Sequence, residues 1–128
     1  MTSQSPQPSF PAYGTLQGAI DRLGQTLAEL AAALQPFPFF YGSEVIRALE
    51  IDTPEGYPDR GCVVFCPDGR FYELDIGLIP APTDVGGVDG VELFRDLDLP
   101  PQEYFAYASL AMRAVVARLT AQGLVPDH

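Results

Sequence analysis

One stretch of this chain folds back on itself by local chemistry alone, and it limits what the rest can become. Cys62-Val63-Val64-Phe65-Cys66 is a short apolar run of strand-forming residues. It leads into Pro67-Asp68-Gly69-Arg70. There the proline presets φ and the Asp-Gly pair tolerates the left-handed region. Phe71 to Ile79 then alternates, with Tyr72, Leu74, Ile76 and Leu78 on one side and Glu73 and Asp75 on the other. The pattern predicts an antiparallel hairpin whose Tyr72 face is core and whose Glu73 face is wet.

A hairpin alone is marginal and needs something laid on its apolar face. Two helical stripes are available. Between Thr15 and Leu34, the residues Leu16, Ile20, Leu23, Leu27, Leu30 and Leu34 recur at steps of four and three. Thr15 is a candidate N-cap and Pro36 a stop. Pro100-Pro101-Gln102-Glu103 opens a second helix, running to about Gln122 with Gly123 behind it. That helix is apolar around most of its circumference, through Phe105, Leu110, Met112, Val115, Val116 and Leu119. Alanines at 106, 108, 111, 114 and 117 permit close approach. Such a helix is expected to be central or partly covered by another chain.

The fold class that follows is α+β: an N-terminal amphipathic helix, an antiparallel hairpin or meander sheet of three to four strands, a long loop, and a C-terminal helix on one sheet face. The 128 residues suit one domain. We expect residues 15–123 to form it. Residues 1–14, uncharged and carrying Pro6, Pro8 and Pro11, are expected to be a disordered tail, and 124–128 a frayed end. Pro36 to Gly42 is expected as an edge strand or an irregular lead-in to the sheet. Residues 44–51 lean towards strand, although Ser43 could cap a short helix there. Pro80 to Gly90 is expected as a long loop, and Val91 to Leu97 as one or two helical turns.

Charge is distributed unevenly. Seventeen acidic residues face seven basic ones, all Arg, for a formal net charge of −10. Fourteen of the acids, against four Arg, lie between Glu44 and Glu103. This field repels phosphate, so neither a nucleic acid nor an anionic membrane surface is an expected partner, and a basic protein is. With no Lys in the chain, Schiff-base chemistry and a P-loop lysine are excluded. The sole histidine is the terminal His128, a poor base for any Ser or Cys nucleophile. Cys62 and Cys66, four residues apart on a strand, sit about 13 Å from each other, too far for a mutual disulfide. We expect both as small core residues.

Three weaker constellations remain. Asp84, Asp89, Glu92, Asp96 and Asp98 do not follow the spacing of an EF-hand loop. Glu73 and Asp75, about 6.6 Å apart on a strand, have the separation of a carboxylate pair but no sugar-stacking Trp in the chain. Gly86-Gly87-Val88-Asp89-Gly90 lacks the pattern and the basic residue of a phosphate cradle. Neither a cofactor nor a metal is expected, and no apolar run approaches the ~20 residues of a membrane span.

The sequence therefore points to a non-enzymatic acidic protein-interaction module, an adaptor, assembly factor or chaperone-like protein, homodimeric and cytoplasmic. In size, charge and element order it resembles dedicated secretion or assembly chaperones, without a shared motif. The expected contact residues are Phe37, Phe39, Phe40 and Tyr41, with Phe105, Met112 and Val116 on the outward side of the last helix. The alternative is a small-molecule pocket between the sheet and that helix, gated by the 80–90 loop. Tyr72, Tyr104 and Tyr107 would supply hydroxyls there, and Arg70 or Arg113 a cation.

Overall fold

The computed structural model describes residues 9–41, 43–75 and 93–123, with side chains from Gly14 onward. The described elements are α1 (Ser9–Ala33), β1 (Leu49–Glu50), β2 (Val63–Phe65), β3 (Phe71–Leu74), β4 (Phe94–Asp96) and α2 (Pro101–Ala121). The four strands form one antiparallel sheet in the order β1-β2-β3-β4. This is the expected α+β architecture, with α2 against the sheet.

The hairpin forms as its sequence dictates. Val64 lies opposite Tyr72, and Phe65 opposite Phe71. The turn is closed by the Gly69 N–H on the Cys66 carbonyl at 2.8 Å and the Cys66 N–H on the Arg70 carbonyl at 3.0 Å. Asp68 Oδ1 accepts the Arg70 N–H at 3.0 Å, the side-chain turn that favours Asp at this place.

The assignment of sheet faces needs correction. The helices lie on the face of Leu49, Val63, Phe65 and Phe71, where Leu27 and Leu34 from α1 and Tyr107, Ala108, Ala111 and Val115 from α2 complete the main core. A line of aromatic rings crosses it, Phe37 to Phe65 at 6.4 Å and Phe65 to Phe71 at 5.3 Å between centroids. Tyr72 and Leu74 point the other way, into a second apolar cluster with Val64, Cys66, Phe40 and Ile46. Alternation along β3 therefore separates two faces, the Tyr72 face being core as expected, and the helices take the Phe71 face, which was expected to be wet. Glu73 shares the helix side with Phe71, but sits at its margin, where it pairs with Arg95 at 3.2 Å. Polar residues there mark a rim, and both faces are covered.

The second cover is an arm made by residues 37–41 and 43–48. Phe40 N–H donates to the Ile46 carbonyl at 2.6 Å, and Ala48 N–H to the Pro38 carbonyl at 3.1 Å. Phe39 and Arg47 form an isolated antiparallel bridge. Ser43 caps no helix. Its Oγ accepts the N–H groups of Val45 and Ile46 at 3.1 and 3.0 Å, which turns the arm back. The strand expected over 44–51 thus shortens to Leu49–Glu50, since the residues before it pair within the arm.

Two further boundaries differ. Residues 94–96, within the segment expected to be helical, form β4, because Phe94 lies across from Leu74 and stacks on Tyr72 at 5.8 Å. Helix α1 begins at Ser9, six residues before the expected cap at Thr15. Pro11 is compatible with that start, since N–H groups in a first turn have no intrahelical acceptor. Helix α2 matches expectation at both ends, with Pro101 in its first turn and Gly123 at φ +78° behind it. Its face of Tyr107, Ala108, Ala111, Val115 and Leu119 is buried against the core, while Val116 and Ala117 lie exposed. Residues 76–79 of the expected strand, with Ile76 and Leu78, the expected loop 80–90, Val91 and Glu92, the first eight residues of the expected tail and residues 124–128 lie outside the described residues.

Candidate docking surface

Three of the four large hydrophobic residues exposed among the described residues lie on the arm: Phe39 at 45%, Tyr41 at 93% and Val45 at 71% exposed. The fourth is Val116 on α2, at 40%. Scattered single exposures are ordinary, but three on one short arm form a patch. The arm is held firmly enough to present them. Arg47 stacks its guanidinium 4.0 Å from the centre of the Phe39 ring and donates to the Phe37 carbonyl, while Phe40 and Ile46 anchor the underside in the second cluster.

Beside the arm runs a groove of about 650 Å³, walled by Val45 and Ile46, by Cys66 and Asp68 of the hairpin turn, and by Tyr72 and Phe94. The Tyr72 hydroxyl donates to Asp68 Oδ2 at 2.5 Å, and this bond, with partial burial, pushes the phenol up to about 12. Burial, aided by the Asp68 charge, pushes the Cys66 thiol up to about 12 as well. Both stay protonated at neutral pH, so this part of the wall offers no thiolate and no phenolate. Its character is apolar, with Asp68 supplying charge.

The expected contact residues divide. Phe37 and Phe40 are buried in the two clusters, whereas Phe39 and Tyr41 face outward. Phe105 is half-buried, Met112 packs partly against the main core, and Val116 alone of that set is exposed. Val45 was missed, although strand-like alternation either side of Ser43 places it on the outer side with Phe39 and Tyr41.

The residues expected to line a ligand pocket do not converge. Arg70 and Tyr104 share a second cleft, also about 650 Å³, between α1, the hairpin turn and the start of α2. Asp21, Asp68 and Asp96 line it too, so its charge is net negative. Tyr72 opens on the opposite sheet face, and Arg113 is exposed on α2. Tyr107 is sealed in the main core, its hydroxyl facing Thr53 without a well-formed hydrogen bond.

Reading along the chain gave no sign of a buried ion pair that spans 43 residues. Glu103, expected only as a first-turn acid, is buried and held by Arg60, with Nη2 to Oε1 at 2.8 Å and Nε to Oε2 at 2.5 Å. The hydrogen bond from Arg60 keeps the Glu103 carboxyl below its ordinary value of 4.5, against the opposing effect of burial. A carboxyl with a lowered folded-state pKa contributes stability that is present above 4.5 and lost as pH falls through the folded value. Arg60→Ala is therefore expected to destabilise most at neutral pH, leaving a buried carboxylate unpaired. Its deficit against the parent chain should shrink as pH is lowered through the acid range. Urea melts of both proteins from pH 7 downward check this; a deficit independent of pH would show that Arg60 contributes through packing alone.

Among the described residues, no group of three His, Cys, Asp or Glu side chains is placed to hold a metal ion. Of the acidic cluster noted in the sequence, Asp84, Asp89 and Glu92 lie outside the described residues. No described helix is long and apolar enough to cross a membrane. Comparison of the chain with protein-family models, with curated proteins and with solved structures finds no match in any of the three.

Proposed function

We propose that the chain is a protein-interaction module, an adaptor or assembly factor, that receives a polypeptide on the arm and the adjoining groove. The observation that carries this reading is the gathering of Phe39, Tyr41 and Val45 on one ordered arm beside an apolar groove. Interfaces favour aromatic anchors over an apolar centre within a charged rim, and the acidic surroundings suit a basic partner.

Site-specific photocrosslinking in the cells that make the protein tests the proposal. A benzoylphenylalanine at position 41 or 45 is expected to give one discrete adduct, and the same group at exposed Glu55 none. Tyr41→Ser with Val45→Ser should abolish an adduct formed from position 39. As surface changes, these two substitutions are expected to shift stability by no more than about 0.5 kcal/mol each. An adduct of twice the chain mass would identify a second copy as the occupant, making the module a homodimer. Equal labelling from positions 41, 45 and 55 would sink the proposal.

A further inference from the structure

We infer that the segment received by this surface carries a large apolar anchor with a basic residue on either side, and that Glu44 and Asp68 select it. The inference rests on the docking proposal and specifies the chemistry of the occupant.

Extent comes first. Phe39 and Tyr41 lie outside the lining of the groove, so a small molecule filling the groove would leave both uncovered. A polypeptide with an anchor in the groove covers the arm as it passes. Charge gives the rest. The groove has one cation in its lining, Arg47, already stacked on Phe39 and bonded to the Phe37 carbonyl. Two exposed carboxylates remain, Glu44 beside Val45 on the arm and Asp68 in the opposite wall. Asp68 accepts from the Arg70 N–H and from the Tyr72 hydroxyl, which fix the carboxylate in the wall. The cysteine and the tyrosine of the wall remain neutral and add no competing charge. Glu44 and Asp68 outnumber Arg47 around the groove, so Lys or Arg flanks on the incoming chain are favoured over acidic ones.

Fluorescence anisotropy with three labelled heptapeptides and the full chain tests the inference. The probes are Gly-Arg-Leu-Phe-Leu-Arg-Gly, its Glu-flanked counterpart, and an Arg-flanked version with Ser-Ser-Ser in the centre. The first is expected to bind about tenfold more tightly than either other, a margin that two exposed ion pairs and one buried anchor readily give. That preference over the Glu-flanked probe should weaken with added salt. It should vanish in Glu44→Gln with Asp68→Asn, where Asn can still close the turn. Tyr41→Ser with Val45→Ser should weaken the Arg-flanked and Glu-flanked probes alike. Equal binding of those two probes to the parent chain overturns the inference but leaves the docking proposal standing, provided the crosslinks at 41 and 45 form. Equal binding of the Ser-centred probe overturns it too, since acidic surface alone would then account for capture. If no probe binds, the inference fails, and the crosslinks again decide whether the docking proposal fails with it.

Discussion

Replacing Gly69 by alanine is expected to remove roughly 2–5 kcal/mol of stability, a large part of the roughly 5–15 kcal/mol that a domain of this kind has. Two effects add. Gly69 sits at φ +81°, where a Cβ costs about 1–2 kcal/mol. That Cβ would also lie 2.5 Å from Ala28 Cα and 2.6 Å from Ala28 N. Those atoms are helix backbone, which cannot swing aside as a flexible side chain can, so overpacking adds about 1–3 kcal/mol. Gly56 separates the two effects. Its φ of +88° is similar, and nothing lies within 4 Å of a Cβ there. Gly56→Ala should therefore show only the backbone share, about 1–2 kcal/mol. Urea unfolding of both variants reads the difference directly, and equal losses would mean that α1 does not press on the turn.

The Gly69 case also shows which parts of the fold could be read along the chain. Pro67-Asp68-Gly69-Arg70 announced a turn because φ preferences are local, and Pro100-Pro101 and Gly123 announced the ends of α2 for the same reason. That the Gly69 turn lies against Ala28 is invisible in sequence, because forty residues of chain separate them. The same limit explains the sheet face that the helices take. Alternation identifies two faces, and says which one meets the helices only if the other is bare. Here Phe40 and Ile46 cover the other one, supplied by an arm whose own pairing the prolines had obscured. Segment 94–96 became β4 because of its partner across the sheet, with only Phe94 favouring a strand by itself. The aromatic run Phe37 to Tyr41 was legible as a place of interest, and its division into buried Phe37 and Phe40 and exposed Phe39 and Tyr41 was not. A period-two alternation from Phe37 would have put Phe39 inside. Phe37 packs in the helix-side core and Phe40 in the second cluster, and the cation–π stack with Arg47 holds Phe39 outside.

Phe65→Ala is expected to cost about 3–5 kcal/mol, the range for emptying an aromatic site in a core that cannot close over the gap. Phe65 has no exposed surface and lies in the inner strand β2, between Leu49 of β1 and Phe71 of β3. Its ring stands between those of Phe37 and Phe71. Each neighbour belongs to an element that is itself packed, so relaxation into the hole is limited. Phe40, 8% exposed, fills the second cluster from the arm side. The arm can settle onto the sheet, and Phe40→Ala should lose less than Phe65→Ala while disturbing the way Tyr41 and Val45 are presented. If the two clusters are energetically separable, Phe40→Ala keeps one cooperative unfolding transition close to that of the parent chain and loses the crosslinks from positions 41 and 45. Phe65→Ala lowers the whole transition. Equal destabilisation by the two would mean that the arm is as much a part of the folding core as β2, and that the surface it presents cannot be altered from beneath without unfolding the domain.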